Sequence, residues 1–152
     1  MAVRAVSHVA IGVTDMDRAL RFYRDALGLS VTQDTTQDFP PYGDELPAAR
    51  RRGVYLRWRD GDDDSFVVLD QHDRDQSASP LKFYDLGIHH YGFWVDDVDA
   101  IVARMKALGE IVVVDPNEND TSEYGEPSGR IIRGALLRDP DGNYVQVDQR
   151  KG

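Results

Sequence analysis

Two histidines stand at matched positions of a repeated segment. Residues 6–17 read VSHVAIGVTDMD and residues 88–99 read IHHYGFWVDDVD. In this register His8 meets His90, Val13 meets Val95, Asp15 meets Asp97 and Asp17 meets Asp99. Imidazole is the side chain best suited to ligate a divalent metal near neutral pH. A repeat means one supersecondary unit used twice, so two identical metal-capable groups occupy equivalent points of two similar units. A single histidine on a strand is ordinarily a packed or surface group; the match makes this pair candidate ligands. His89 is expected on the opposite strand face from His90, and His72 lies in a polar stretch, so neither joins them. The acidic runs 60–64 and 117–120 read as solvated turns, without the glycine and closing glutamate of a calcium loop.

The elements that must carry these residues follow from periodicity. Val9, Ile11 and Val13 alternate with His8, Ala10 and Gly12, which predicts a strand over 6–13 with one greasy face and one roomy face. Asp15 is a candidate N-cap, and Met16, Ala19, Leu20, Tyr23 and Leu27 recur at helical spacing up to Gly28. Strands are expected at 29–33, 54–58 and 66–70, the last two flanking a turn at 61–64. The second half repeats this order: a strand over 88–95, a helix over 98–108 closed by Gly109, then strands at 111–115, 131–137 and 144–148. The stretches 35–53 and 116–129 read as long irregular loops, and loops of that length are usually functional or mobile. The polar stretch 71–87, with its one proline, reads as a linker. One domain over 1–152 is expected, made of module 1 (4–70), linker (71–87) and module 2 (88–150).

Composition narrows the partners. A net charge of −9 argues against nucleic acid or an anionic membrane, since either would bring like charges together. With no cysteine there is no disulfide, thiolate metal site or cysteine nucleophile. The opening residues contain no apolar stretch of signal length and no run reaches membrane-spanning length, so a cytoplasmic location is expected.

The paired βαβββ order, the strand-opening histidines and the ending RDPDGNYVQV resemble the vicinal oxygen chelate superfamily. That group includes glyoxalase I, bleomycin-resistance proteins, extradiol dioxygenases, fosfomycin-resistance enzymes and methylmalonyl-CoA epimerase. The resemblance spans about residues 4–150. It implies an α+β fold whose two βαβββ modules form a half-open cup about a pseudo-twofold, with metal ligands from the first and last strands of each module. Carried onto this chain, those positions are His8, Val68, His90 and Gln146. Gln146 stands where the resemblance leads one to expect a glutamate, and Val68 cannot ligate. Asp148 and Asp70, on the same strand faces as these two, are candidates for a displaced carboxylate.

Two histidines and one carboxylate make the usual facial triad of non-haem iron, and glutamine keeps the carbonyl oxygen without the charge. Isomerase and epimerase chemistry needs a carboxylate near the metal to move a proton at carbon, so those readings fall. Oxygen chemistry needs open metal positions more than a basic glutamate. The expected function is therefore a divalent-metal oxidoreductase resembling extradiol dioxygenases and acting on a small, oxygen-chelating aromatic substrate. Its metal (Fe2+ or Mn2+, with Zn2+ or Ni2+ as alternatives) would be held by His8, His90 and Gln146. The reference tyrosine of that class falls near Leu136 here, leaving Tyr144 and Tyr124 as candidate acids. The alternative is a non-catalytic binder like the bleomycin-resistance proteins, stacking an aromatic or antibiotic ligand on Trp58, Phe66, Trp94 and Tyr144. A homodimer is expected, because short four-stranded sheets leave edges that a partner can cover.

Overall fold

The structure, a computed structural model, describes residues 4–74 and 80–152. The chain divides into two compact units, 1–78 and 79–152. Unit 1 runs β1 (His8–Gly12), α1 (Met16–Leu20), β2 (Ser30–Phe39), β3 (Ala49–Arg57) and β4 (Phe66–His72). Unit 2 runs β5 (His90–Trp94), α2 (Val98–Ala107), β6 (Ile111–Asp120), β7 (Ile131–Arg138) and β8 (Tyr144–Arg150). The sheets have the same topology, β1-β4-β3-β2 and β5-β8-β7-β6, with the first pair parallel and the others antiparallel. The α+β fold of two βαβββ modules expected from the repeat is the fold observed.

The repeated residues hold the same local structure in both units. Val13 N–H donates to the Asp70 carbonyl at 2.9 Å, and Val95 N–H to the Asp148 carbonyl at 2.8 Å, closing each strand pair. The Asp15 carboxylate accepts from Asp17 N and Arg18 N, and that of Asp97 accepts from Ala100 N. Both therefore satisfy helix-start donors that would otherwise have no partner. Asp17 and Asp99 each meet an arginine of the third strand, Arg52 at 4.0 Å and Arg133 at 2.7 Å. Even the glutamines correspond: Gln71 donates to the Thr14 carbonyl and Gln149 to the Asp96 carbonyl.

Each helix packs on one face of its own sheet. Val54, Leu56, Val67 and Leu69 of unit 1 are buried with Met16, Ala19, Phe22 and Tyr23. In unit 2, Ala135, Leu137, Val145 and Val147 are buried with Val98, Ile101, Val102 and Met105. The strand period of two sends the alternate residues to the opposite face: His8, Ala10, Phe66, Val68 and Asp70 in unit 1, and Tyr144, Gln146 and Asp148 in unit 2. Three of the four candidate ligand positions, His8, Val68 and Gln146, lie on these faces.

Three expectations need correction. The α-helical turns after Gly12 end at Leu20; over Arg21–Ala26 the helix widens, as in the Leu27 N–H to Phe22 carbonyl bond at 2.8 Å. Residues 35–53 are not one irregular loop, because β2 runs to Phe39 and β3 starts at Ala49. The sequence SVTQDTTQDF lacks hydrophobic alternation since both its faces are polar. It is held by the ladder and by cross-strand pairs of Arg52 with Asp34 and Arg50 with Asp38. Likewise β6 continues to Asp120, its register shifting between Val114 and Asn117 where Pro116 cannot donate. No helix among the described residues is long and apolar enough to cross a membrane.

Candidate functional site

The open face of the first sheet carries a cavity of about 620 Å³. His8 and Ala10 of β1, Ala49, Arg51 and Tyr55 of β3, and Phe66, Val68, Asp70 and His72 of β4 form its floor. The end of β2 adds Phe39, and the β2–β3 connection adds Pro40, Tyr42, Leu46 and Pro47, with Tyr42 N–H bonded to the Leu46 carbonyl at 2.7 Å. His8 stacks on Phe66, with ring centres 5.1 Å apart and planes inclined by 16°, and its Nδ1 lies 3.0 Å from Ser7 Oγ. Tyr55 leans on the same phenylalanine at 5.9 Å, and Arg57 lies over its ring at 4.5 Å.

The corresponding face of unit 2 has a cavity of about 450 Å³ lined by His90, Tyr124, Leu136, Gln146, Asn117, Asn119 and neighbouring residues. Here a buried carboxylate organises the polar groups. Asp148 Oδ1 accepts from the Tyr124 hydroxyl at 2.8 Å, and Gln146 Nε2 donates to Asp148 Oδ1 and Oδ2 at 3.0 and 3.2 Å. Gln146 Nε2 also reaches the Tyr124 oxygen at 3.1 Å. A carboxylate only accepts, so the amide nitrogen must face it, and Gln146 Oε1 keeps no partner among the described residues. Gly134 makes room for the cluster, since a Cβ there would lie 2.9 Å from Asp148 Oδ1. Burial and the Asp148 bond push the Tyr124 phenol well above the ordinary tyrosine range, so it keeps its proton.

His90 sits under a ring. Phe83, from the stretch read as linker, stacks on it with centres 5.3 Å apart and planes within 7°, and touches Tyr144 edge-on at 5.4 Å. Burial lowers the His90 pKa, with His89 adding to the shift and Asp148 opposing it, so the imidazole is neutral at physiological pH. Contrary to strict alternation, His89 is beside its neighbour, with Nδ1 atoms 2.7 Å apart. It precedes β5, where the pleat that would separate the two side chains has not begun.

These residues do not fit a carboxylate-bearing metal centre. Unit 1 supplies His8 with Val68 at the partner position. Unit 2 supplies His90 with a neutral amide, and its carboxylate is engaged by Gln146 and Tyr124. Among the described residues no three of His, Cys, Asp and Glu converge on a point that could hold a metal.

The structure places the other sequence candidates as follows. Phe66 lines the first cavity, whereas Trp58 is 44% exposed and does not. Trp94, 55% exposed, has Tyr124 6.0 Å away and Arg150 over its ring. The Tyr144 hydroxyl accepts from Arg138 Nη2 at 2.6 Å. Sequence reasoning missed Arg51, Phe39 and Tyr42 because it left 35–53 as a loop, and it gave Tyr55, in the strand expected at 54–58, no role. The available signal was the run Arg50-Arg51-Arg52 between two alanines and Gly53, whose alternation places Arg51 alone on the cavity face.

Comparison with known proteins agrees with this architecture. A "Probable lactoylglutathione lyase" of Vibrio parahaemolyticus is 26% identical over 155 residues, covering 96% of this chain and 91% of that protein. A chloroplastic protein of the same name from Arabidopsis thaliana is 28% identical over 149 residues; the match takes in 97% of this chain and only 36% of that longer protein. The crystal structure of a glyoxalase family protein from Bacillus cereus superposes with a TM-score of 0.73 at 18% identity, covering 100% of this chain and 97% of that one. A glyoxalase/bleomycin-resistance/dioxygenase domain from Frankia sp. EAN1pec gives 0.66 at 19% identity, with coverage of 99% and 94%. A family model matches residues 5–147, both histidine-bearing modules included, and the chain belongs to the Glyoxalase/Bleomycin resistance protein/Dioxygenase superfamily.

Proposed function

We propose that this protein binds and holds a small planar aromatic molecule in the cavity on the open face of its first sheet. The observation that carries the reading is the lining of that cavity: His8, Phe39, Tyr42, Tyr55 and Phe66 present rings to one space of about 620 Å³. Such a volume suits a drug-sized or smaller ligand, and offset stacking on these rings adds to simple burial. The lyase activity named for the relatives calls for a group able to move a proton at carbon. At the two last-strand positions this chain offers only Val68 and the amide of Gln146.

The test is a fluorescence titration with N-phenyl-1-naphthylamine, a neutral aromatic probe. Saturable one-to-one binding is expected, weakened by about 1–3 kcal/mol in Phe66→Ala and in Tyr55→Ala. Absence of saturable binding by the folded protein would overturn the reading. Trp58 lies outside that lining and Trp94 belongs to the other unit, so Trp58→Ala and Trp94→Ala are expected to leave the probe's affinity unchanged, and a loss in either would extend the binding surface to that ring.

The matched histidines favour a second reading, a metal-dependent oxidoreductase of the extradiol type. His8, His90 and Gln146 would be its ligands for Fe2+ or Mn2+, with Zn2+ or Ni2+ as alternatives. Tyr124, which holds its proton, or Tyr144 would be its acid. It ranks second because the donor set lacks a free carboxylate and because the Tyr124 hydroxyl already donates its hydrogen bond to Asp148. A homodimer in the cytoplasm completes the proposal, checked by sedimentation and by fractionation of the source cells.

A further inference from the structure

The first cavity contains a cation that ring stacking alone does not require. Arg51 lies on the cavity face of β3 with a side chain only 14% exposed. Its neighbours Arg50 and Arg52 are instead exposed and paired with Asp38 and Asp34 on β2. Arg51 Nε donates to Asp70 Oδ1 at 2.5 Å and Nη2 donates to the Tyr55 hydroxyl at 3.3 Å. The guanidinium carbon stands 5.6 and 5.7 Å from the ring centres of Phe39 and Tyr55. Gly53 provides the space for this pose, because a Cβ there would come within 2.8 Å of Nη2.

A guanidinium carries five N–H donors. The two bonds use the Nε hydrogen and one on Nη2. Nη1 and the second hydrogen of Nη2 are left without a hydrogen-bond partner among the described residues, and an end-on pair of such donors matches the two oxygens of a carboxylate. Withdrawing a cation from water into a ring-lined space is costly, and the ion pair with Asp70 offsets only part of that cost. A ligand carboxylate on these donors would supply the rest. Because Asp70 already compensates the charge, the site suits a single negative charge rather than a dianion.

We propose that the unit 1 cavity selects planar aromatic monocarboxylates, with the ring against Phe66 and Tyr55 and the carboxylate on Nη1 and Nη2 of Arg51. This rests on the aromatic-binding reading and adds the charge of the ligand to it. The test is calorimetric titration of the full chain with 2-naphthoate and with 2-naphthamide, which has the same shape and no charge. The acid is expected to bind on the order of 10–100-fold more tightly than the amide. Arg51→Met should abolish that preference, and Arg51→Lys should retain part of it, since an ammonium has charge without a fork. Arg51→Met leaves Asp70 unpaired, so the double variant Arg51→Met/Asp70→Leu, which removes the whole pair, serves if the single variant does not fold. The preference must be lost there too. Equal affinity of the wild type for acid and amide, or an undiminished preference without Arg51, overturns the carboxylate assignment and leaves the aromatic reading standing. No binding of either compound by the folded protein overturns both.

Discussion

Changing Gln146 to glutamate puts the carboxylate that the superfamily resemblance leads one to expect into a place this protein has adapted to an amide. The amide nitrogen donates to Asp148 Oδ1 and Oδ2 at 3.0 and 3.2 Å. Gln146→Glu replaces that donor with an anionic oxygen facing a carboxylate. The lost hydrogen bond to a charged acceptor is worth about 1.5–3 kcal/mol. Two unit charges roughly 4 Å apart repel by about 4 kcal/mol at an effective dielectric of 20, an upper figure that rotation of the new side chain into the open cavity reduces. A net loss of about 2–4 kcal/mol at pH 7.5 is expected. The pH dependence identifies the cause. The introduced carboxyl has its folded pKa raised above the ordinary value of about 4.3. A raised folded pKa contributes stability that is fully present below the unfolded value and is lost as pH rises through the folded one. The variant should therefore approach the wild type near pH 4 and fall behind it at neutral pH. Urea unfolding of both proteins across that range is the assay. A variant as stable as the wild type at pH 7.5, with no added pH slope, would refute the described Gln146–Asp148 contact.

Other consequences concern the same cluster. Gly134→Ala places a methyl 2.9 Å from Asp148 Oδ1 and should cost about 1–3 kcal/mol, whereas Gly12→Ala, with nothing within 4 Å of its Cβ, should stay within about 1 kcal/mol; urea midpoints give both values. Tyr124 should ionise above the ordinary tyrosine range in an ultraviolet pH titration, and Tyr124→Phe should remove one phenol from that late part of the curve; an unchanged titration would show that the phenol is not held by Asp148. In an NMR titration the His90 ring should protonate below the ordinary histidine value, and Phe83→Ala should raise its midpoint by admitting water. Because the folded pKa is lowered, the corresponding stability is present above about pH 6.5 and is lost as pH falls through the folded value.

The fold was legible where hydrophobic period and repeat coincided. Asp15 read as a helix start, and both it and its repeat partner Asp97 cap one; His8 and His90 read as equivalent, and they pair with Phe66 and Tyr144 at the same place in two identical topologies. What could not be read was held together by polar contacts between strands. The outer half of β2 carries no apolar stripe, and its order depends on arginines of β3 some twenty residues away. Missing the outer half of β2 and the start of β3 meant missing the inward-facing Arg51 and the aromatic rim of the cavity. The site was legible in part: the sequence named Gln146 and Asp148 as neighbours on one face. Only the structure shows that their hydrogen bonds, with the Tyr124 hydroxyl, engage the carboxylate internally. Phe83 over His90 was hidden because no local pattern tells a linker residue where to pack.

Counting metal ions tests most directly whether this chain is a binder of aromatic molecules rather than a metal enzyme. Purified protein would be dialysed to equilibrium against micromolar Fe2+ (under anaerobic conditions), Mn2+, Zn2+ or Ni2+ and analysed by plasma mass spectrometry beside His8→Ala and His90→Ala. An imidazole pair with a neutral amide, and no free carboxylate, should retain well under one ion per chain, with little change in either variant. One tightly held ion per chain in the wild type, lost in both histidine variants, would contradict the account and establish the metal-centred reading.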